Sequence, residues 1–429
     1  MTDLERPGAA PSVPALRRAA PALLGYAAVR ALGLLTLAVW SAARGKNAYT
    51  LLTARWDSLW YTRVAELGYG YEVRLPNGDV HSNLAFFPLL PWLERALHAL
   101  TPLSYAGAGF AVSLLASLAA AWGVFAVTDL VYGRRVGVCA VLLWAVLPVG
   151  IVQSMAYSES LFTALAAWSL YAVLTGRWPT AGVLAALAGL TRPVGLAVVA
   201  AVWTVGVLSF RRDPRVRDSS GWERSGGARD QGVGGAYGVQ EGERAPEASS
   251  AAHARRVPRM TGASPWRRAL GMLLAPLGAA SYVLWVGRRT GKGPLGYLDV
   301  QAGWRNGFDG GYAFARFVAD KFTSIASAPA GVGLLVGVCL LLWLYLTGVR
   351  QRQPLALLVY TGVVLALALC ASSYFGSKPR LLMPAFPLLL PLARSLARLP
   401  TNRSALVTAG VAVATAVYGA FWLNGSGPP

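Results

Sequence analysis

Long apolar runs alternate with short polar segments along most of the chain. A helix needs about 20 apolar residues to cross the hydrocarbon core of a bilayer, and fewer where neighbouring protein shields it. By this criterion the pattern predicts membrane-spanning helices over residues 21–43, 106–130, 136–152, 160–175, 269–286, 331–348, 355–371, 382–396 and 405–423. The predicted fold class is an all-α polytopic membrane protein.

One further apolar tract, residues 179–210, is interrupted by Thr191, Arg192 and Pro193. Proline disfavours helical backbone in the residue before it, and an arginine at membrane depth is costly. We therefore predict a broken hairpin over this tract rather than one straight helix. The predicted total is about ten or eleven helices.

Composition supports a membrane protein and argues against other classes. Of the 429 residues, 55% are hydrophobic and 14% charged, and the mean hydropathy is +0.47, well above that of soluble domains. The net charge of +20 comes from arginines spread between apolar runs, without the basic stripe and interleaved aromatics that predict nucleic-acid binding. Cys139, Cys339 and Cys370 lie inside apolar runs, where cysteines act as small hydrophobes.

Basic residues at the ends of the apolar runs predict the orientation, because cytoplasmic loops of membrane proteins are enriched in lysine and arginine. The arginines that fall on one predicted side are Arg17, Arg18, Arg134, Arg135, Arg211, Arg212, Arg350, Arg352, Arg394, Arg398 and Arg403. That side is predicted to be cytoplasmic, provided that the tract 179–210 returns to its starting side. Arg288 and Arg289 lie on the opposite side and do not follow the rule.

This orientation divides the chain into two transmembrane modules. The predicted units are a cytoplasmic tail at 1–20, an N-terminal module at 21–210 with an outer loop at 44–105, a basic cytoplasmic loop at 211–268, a C-terminal module at 269–423 with an outer loop at 287–330, and a tail at 424–429. The loop 211–268 is rich in Gly, Ser, Ala and Arg, so it is predicted to be disordered and carries no assigned chemistry.

The two outer loops have the composition of structured segments. Residues 44–105 mix charges, glycines and aromatics, and are predicted to pack on the membrane surface. Residues 287–330 include Trp304 among polar side chains that hydrogen-bond and stack on sugar rings. Amphipathic anchoring at the membrane interface explains the second loop equally well.

Asp57 is the first candidate for chemistry, because it stands among aromatics directly after the first predicted span. A helix over 56–67 would place Trp60, Val64 and Leu67 on one anchoring face, with Asp57 near its N-terminus. The carboxylate then has two interpretations, a catalytic base or simply a helix cap that pairs with a nearby arginine, Arg55 or Arg63.

Other ionisable residues lie at or beside the spans, where each charge costs about 2.5 to 3.5 kcal/mol on insertion scales. Asp129 is predicted to form a surface pair beside Arg134. Glu159 begins a helix, so either the helix dipole or a substrate explains it. Lys378 and Arg380 precede the span at 382–396 on the outer side, where they anchor to lipid phosphate or bind a substrate phosphate.

Several familiar catalytic motifs are absent from the sequence. It has no Asp-x-Asp motif, Walker A loop, Gly-x-Ser-x-Gly elbow or His-Glu-x-x-His site, and His81, His98 and His253 are not at metal-ligand spacing. A nucleotide-dependent or zinc enzyme is therefore disfavoured. No cofactor is predicted, although a divalent metal without a motif stays possible.

A set of short motifs resembles the PIG-V family, the bacterial relatives of the second mannosyltransferase of GPI-anchor assembly. The motifs are RWDSLWY at 55–61 followed by GY at 68–69, FFPLLP at 86–91, YSESLF at 157–162, LTRPVG at 190–195 and PRLLMPAFP at 379–387. They occur in order and cover most of the chain outside the basic loop.

The resemblance implies a fold of the GT-C glycosyltransferase type and a sugar donor attached to a polyprenyl phosphate. Carried over by position, the acidic residue of the first outer loop is Asp57, the base of an inverting displacement. Arg380, with Lys378, would stabilise the departing lipid phosphate. The predicted substrate-binding residues are Arg55, Trp56, Tyr61, Glu159, Arg192 and Trp304.

The predicted function is that of an integral membrane mannosyltransferase at the outer face of the cytoplasmic membrane. It would use polyprenyl-phosphate-mannose as donor and a glycolipid, glycan or protein as acceptor, with membrane lipids as further partners and no nucleic acid. Two alternatives stay open, a flippase or transporter of lipid-linked sugars and a noncatalytic partner in envelope-glycan assembly.

Overall fold

The computed structural model describes residues 15–211, 264–372 and 374–425. These residues fold almost entirely into helices, so the predicted all-α class is confirmed. The helices are, in chain order, α1 (Ala15–Ala43), α2 (Ala48–Thr53), α3 (Asp57–Leu67), α4 (Leu89–Leu100), α5 (Tyr105–Tyr132), α6 (Arg134–Ala145), α7 (Ser158–Leu174), α8 (Trp178–Gly189), α9 (Leu196–Arg211), α10 (Pro265–Leu274), α11 (Leu277–Thr290), α12 (Gly296–Gly303), α13 (Tyr312–Asp320), α14 (Ala328–Arg350), α15 (Leu355–Cys370), α16 (Lys378–Leu381), α17 (Leu390–Arg398) and α18 (Thr401–Leu423).

Six helices of the described part have the length and apolar composition to cross a membrane, which makes this a multi-pass membrane protein. They are Ala15–Ala43, Tyr105–Tyr132, Pro193–Arg211, Pro265–Thr290, Ala328–Arg350 and Thr401–Leu423. The bent pair Phe375–Leu381 and Phe386–Arg398 makes a seventh span if its two helices are counted as one. Helices α7, α8 and α15 are apolar but shorter. The predicted total of ten or eleven included such short helices, and α7 is buried by its neighbours along almost its whole length.

The main core lies where α1, α5, α6, α7, α8 and α9 pack together. Trp144 of α6 is fully buried and stacks on Tyr26 of α1 with ring centroids 5.5 Å apart. Small residues let helices approach closely, as membrane helices require in the absence of a strong hydrophobic drive. A Cβ on Gly278 of α11, for example, would lie only 1.8 Å from the carbonyl oxygen of Ala186 in α8.

The tract 179–210 is a broken hairpin, as predicted. Helix α8 ends at Gly189, a short 3-10 turn covers Pro193–Gly195, and α9 follows. The two free ends of the hairpin, the start of α8 and the end of α9, both lie beside α10. Gly271 of α10 packs on the start of α8, and Arg268 of α10 donates to the carbonyl of Ser209 near the end of α9. The tract therefore returns to the end of the bundle from which it starts.

The predicted disordered loop 211–268 falls mostly outside the described residues, since 212–263 are not among them. Its two edges differ from the prediction. Arg211 ends α9, and α10 begins at Pro265, so the last residues of the predicted loop are helical. The reason is local: proline suits the first turn of a helix, and Arg268 is buried against α9.

The predicted single span 382–396 is instead part of a bent pair, in which Phe375–Leu381 and Phe386–Arg398 meet at 76°. Helix α16 stops at Leu381, a 3-10 turn occupies Phe386–Leu389, and α17 begins at Leu390. The sequence of this break carries two prolines, Pro384 and Pro387, which remove backbone donors and disfavour helix in the residues before them.

The loop between α1 and α5 is structured, as predicted. It contains α2, α3, the antiparallel strands β1 (Glu72–Arg74) and β2 (Val80–Ser82), and α4. The three predicted anchoring residues of α3 do not share one exposed face, because Val64 is buried and, of the three, Leu67 alone is largely exposed, at 73%. Trp60 instead stacks on Phe86 within the loop, with ring centroids 5.6 Å apart.

The loop between α11 and α14 docks on the first loop. The indole nitrogen of Trp304 donates to the carbonyl of Ser82 at 3.0 Å, and its ring meets Trp60 at 4.9 Å. The strand β3 (Gly307–Phe308) then pairs with β4 (Ala371–Ser372), which follows α15. The two loops and the end of α15 thus form one cap over one end of the bundle, called the loop end below.

The opposite end of the bundle carries an ion pair that differs from the prediction. Asp129 near the end of α5 pairs with Arg18 of α1, with nitrogen and oxygen 2.9 Å apart. Arg134 instead donates to the backbone carbonyl of Arg18. The antiparallel packing of α1 and α5 places Arg18 beside Asp129, a contact that 111 residues of sequence separation conceal.

Candidate functional site

Four charged side chains from separate segments meet beneath the loop end. Asp57 is the first residue of α3, and Glu159 lies in the first turn of α7. Arg192 belongs to the break between α8 and α9, and Arg380 to the short helix α16. The break between α8 and α9 and the break that follows α16 matter because they leave backbone groups and side chains exposed at this level of the bundle. A continuous helix would pass this level without exposing them. These four residues are called the charged cluster.

Asp57 pairs with Arg380. Their Oδ2 and Nη2 atoms are 2.7 Å apart, and the side chain of Asp57 is 25% exposed whereas that of Arg380 is 10% exposed. The carboxylate is thus the accessible member of the pair. The guanidinium behind it also lies over the ring of Tyr157, 5.1 Å from the centroid.

The structure contradicts the alternative interpretation of Asp57 as a helix cap or as an ion-pair partner of Arg55 or Arg63. Trp56, not Asp57, is the N-cap residue of α3. The guanidinium of Arg55 donates to the carbonyls of Leu423 and Gly425 at the end of α18. Arg63 instead lies over a tyrosine ring in the first loop. Neither neighbouring arginine neutralises Asp57, and a residue more than 300 positions away does.

Glu159 is the buried member of the charged cluster, with a side chain that is only 1% exposed. It forms an ion pair with Nη1 of Arg192, and its Oε1 lies 3.8 Å from Nε of Arg380. The helix dipole that the sequence suggested is therefore not its only source of stabilisation. Two arginines, one from the break between α8 and α9 and one from α16, flank this one carboxylate.

Arg380 has hydrogen-bond capacity left over. Its Nε and Nη1 are buried and have no hydrogen-bond partner within the described ranges 15–211, 264–372 and 374–425. An unsatisfied buried donor costs on the order of 1 to 3 kcal/mol, more when the group is charged. A planar guanidinium with free donors suits an anion such as a phosphate, which it binds at two oxygens at once.

The backbone just before Asp57 is strained. Trp56 has φ +50° and ψ −123°, a conformation that residues other than glycine rarely adopt. Such residues cost on the order of 1 to 3 kcal/mol and cluster at functional sites. The Trp56 ring is held by the guanidinium of Arg55, 4.1 Å from its centroid. Arg55 and Trp56, which the sequence predicts to bind substrate, therefore shape the turn that presents Asp57.

Tyr61 links the first loop to the cluster. Its hydroxyl lies 2.7 Å from Oγ of Ser158, and Ser158 accepts a 3.5 Å contact from Arg192. Burial raises the pKa of Tyr61 above its usual range, so the phenol stays neutral and acts as a hydrogen-bonding group. The residue thus connects α3 with the start of α7.

Lys378 and Trp304 have contacts outside the charged cluster. The ammonium of Lys378 donates to the carbonyls of Ala368 and Ala371 at 2.6 and 2.8 Å, which occupies two of its three donors. Trp304 stacks on His81, with ring centroids 4.0 Å apart, as part of the contact between the two loops. The structure therefore gives Lys378 a role at the end of α15, and gives Trp304 a role in joining the loops.

Glu94 is a buried carboxyl that the sequence interpretation missed. It is fully buried in α4, and neither oxygen has a hydrogen-bond partner in the part of the chain that the structure describes. Burial raises its pKa well above the usual range, which favours the protonated form of the carboxyl. Its side chain fills the space left by Gly109 of α5. The sequence does hold a signal for its burial, because Glu94 lies four residues after Leu90 and therefore on the same buried face of the helix.

No group of three or more His, Cys, Asp or Glu residues that suits a metal ion occurs among the described residues. Asp57 and Glu159 both already face arginines, which compete with a cation for the same oxygens.

A comparison with known families supports the resemblance in the motifs. Residues 37–211 match the model of the family described as Mannosyltransferase (PIG-V). This range includes Asp57, Glu159 and Arg192, whereas Arg380 lies beyond it. The predicted resemblance is thus confirmed over the N-terminal module. No curated protein sequence matches the chain.

A search of solved structures finds two proteins with a partly similar fold at low sequence identity. ArnT from Cupriavidus metallidurans bound to undecaprenyl phosphate is 14% identical, with a TM-score of 0.49 over 91% of this chain and 62% of its own. The Archaeoglobus fulgidus oligosaccharyltransferase AglB, in complex with an inhibitory peptide and a dolichol-phosphate, is 13% identical, with a TM-score of 0.41 over 94% of this chain and 56% of its own. The chain therefore spans about three fifths of the length of these proteins.

Proposed function

We propose that this protein, whose residues 37–211 match a mannosyltransferase family, is a membrane glycosyltransferase that transfers mannose from a polyprenyl-phosphate-mannose donor. The acceptor is a hydroxyl of a glycolipid, glycan or protein. One observation carries the proposal: a partly exposed carboxylate, Asp57, is paired with a buried arginine, Arg380, whose remaining donors are unsatisfied. This combination offers a base and an anion-binding group side by side.

In the proposed reaction the acceptor oxygen attacks the anomeric carbon of mannose, and the bond from that carbon to the phosphate oxygen breaks. The hydroxyl proton passes to Asp57 as general base. The electron pair of the broken bond stays on the departing lipid phosphate, where Arg380 stabilises the growing negative charge. A direct displacement of this kind inverts the configuration of the anomeric carbon.

We place the reaction at the extracytoplasmic face of the membrane. The charged cluster lies at the loop end, and most flanking arginines belong to the opposite end, which the positive-inside rule assigns to the cytoplasm. A polyprenyl chain in the bilayer would reach the cluster with its phosphate at the membrane surface. Membrane lipids and the lipid-linked donor are therefore the proposed partners.

A transporter of lipid-linked sugars is the second candidate, and one observation favours it. Arg192 and Arg380 each lie at a break in an apolar helical tract, and broken helices commonly form the substrate sites of transporters. A transporter would bind the lipid-linked sugar at these breaks and release it unchanged. The two functions therefore differ in whether the bond between sugar and phosphate is broken.

The test uses purified full-length protein, radiolabelled polyprenyl-phosphate-mannose and a panel of membrane glycolipids. Wild-type protein is expected to produce labelled glycolipid, whereas Asp57→Asn is not, with matching thermal unfolding of both proteins as the folding control. Movement of intact donor from one leaflet of a proteoliposome membrane to the other, without labelled product, would support the transporter function. Equal transfer by both proteins would exclude Asp57 as the base.

A further inference from the structure

The side chain of Glu159 cannot be reached by a substrate in the observed structure. It is 1% exposed, whereas Asp57 beside it is 25% exposed. Glu159 instead contacts Arg192 on one side and faces Nε of Arg380 at 3.8 Å on the other. Any effect of this residue on a reaction at Asp57 must therefore act through the two arginines.

The four charges balance. Asp57 and Glu159 contribute two negative charges, and Arg192 and Arg380 contribute two positive ones, so the resting cluster is neutral. Without Glu159 the buried cluster would carry one excess positive charge. Arg380 would then have Asp57 as its one remaining carboxylate in the cluster.

We propose that Glu159 is a positioning residue that holds Arg380 between two carboxylates. This inference rests on the proposed function of Asp57 and Arg380. Because Glu159 shares the guanidinium, Asp57 remains available to accept a proton, and the neutral cluster binds the donor phosphate without trapping the phosphate product. Arg192 is the second positioning residue, since it is the ion-pair partner that keeps Glu159 charged in its buried place.

This arrangement predicts that affinity and turnover change in opposite directions. Glu159→Gln is nearly isosteric and removes one negative charge beside Arg380. Binding of farnesyl phosphate, measured in detergent, is expected to tighten on the order of tenfold because the cluster gains net positive charge. The kcat for transfer is expected to fall by at least about tenfold because Arg380 is drawn fully onto Asp57. Glu159→Asp, which keeps the charge, is expected to restore most of both properties.

A second measurement does not depend on transfer. In a double-mutant cycle of thermal unfolding, Glu159→Gln and Arg380→Gln are made singly and together. If Glu159 holds Arg380, the loss of Tm in the double variant is smaller than the sum of the two single losses. The matched control is Glu94→Gln, the same change at another buried carboxyl, which is expected to show no coupling to Arg380.

The outcomes separate this inference from the proposed function. Additive losses of Tm, or farnesyl phosphate that binds Glu159→Gln no more tightly than wild type, would overturn the positioning role. Weaker binding together with lost turnover would mean that the site has collapsed, which also overturns it. Coupling and tighter binding in a protein that never transfers mannose would uphold the role of Glu159 and reject the transferase.

Discussion

The molecule has an arginine–carboxylate pair at each end of its helical bundle, and the two pairs differ in what they leave unsatisfied. Arg18 donates three hydrogen bonds to both oxygens of Asp129, through Nε and Nη2, at 2.9 to 3.2 Å. Arg380 contacts Asp57 through one nitrogen, and its Nε and Nη1 have no hydrogen-bond partner in the described residues. Arg18 is 34% exposed and Arg380 10%.

The difference separates a structural pair from a site. The Arg18–Asp129 pair satisfies both groups mutually and joins α1 to α5, so the contact is complete without a ligand. The Asp57–Arg380 pair is buried yet incomplete, which folding alone does not favour because unsatisfied buried donors cost free energy. Proteins keep unsatisfied buried groups of this kind mainly at functional sites.

The largest contrast is expected in transfer activity on removal of each carboxylate. Asp57→Asn is expected to lower kcat on the order of a thousandfold, because the amide cannot accept the acceptor's proton. Asp129→Asn is expected to leave kcat within about twofold of wild type, because the pair is structural. Radiolabelled mannose transfer with both variants measures this. A similar loss in the two variants would remove the distinction between the pairs.

The next contrast concerns stability. Arg192→Gln leaves Glu159 buried without its main counter-ion, so the free energy of unfolding is expected to fall by about 3 kcal/mol. Arg18→Gln breaks a partly exposed pair and is expected to cost less than about 1 kcal/mol. Denaturant unfolding in detergent compares the two. Equal losses would show that burial does not distinguish the two ends.

A conservative change at each arginine sharpens the comparison further. Arg380→Lys keeps the charge but removes the planar set of donors, so it cannot hold Asp57 and a phosphate together. Transfer is expected to fall on the order of 100-fold. Arg18→Lys is expected to change transfer by less than about twofold. Full activity of Arg380→Lys would mean that charge alone suffices at the site.

The smallest expected effect separates Glu94 from Glu159, the two buried carboxyls near the loop end. The raised pKa of Glu94 means that the folded protein keeps this proton while the unfolded chain loses it above its ordinary pKa of about 4.3. Stability from this group is therefore fully present below that pH and is lost as pH rises towards the folded pKa. Glu94→Gln should remove this loss.

Unfolding free energies of wild type and Glu94→Gln at pH 5 and pH 7 measure the effect. The variant is expected to gain stability relative to wild type as the pH rises, by up to about 1.4 kcal/mol for each pH unit that lies between the unfolded and the folded pKa of Glu94. Glu159→Gln serves as the contrasting variant, because its carboxylate is paired and its loss is expected to destabilise at both pH values. A pH-independent difference between Glu94→Gln and wild type would place a counter-ion beside Glu94.

Sequence patterns identified all four members of the charged cluster, because an ionisable residue beside an apolar span is costly and therefore conspicuous. They did not identify the partners. Asp57 was matched to its neighbours Arg55 and Arg63, and Asp129 to Arg134, since proximity along the chain was the available guide. Glu94 escaped notice because α4 reads as an ordinary amphipathic helix whose charges face water.

The sequence by itself determined the helical class, the break at Thr191–Pro193 and the motifs of residues 37–211, the range that matches a known family model. These properties follow from local hydrophobic length, from proline and from residue order. Only the tertiary structure decided that Arg380 faces Asp57, that Glu159 lies between two arginines and that Glu94 has no hydrogen-bond partner among the residues described. Pairing depends on how distant helices pack and on which donors remain unsatisfied after packing, and neither is recorded in local spacing.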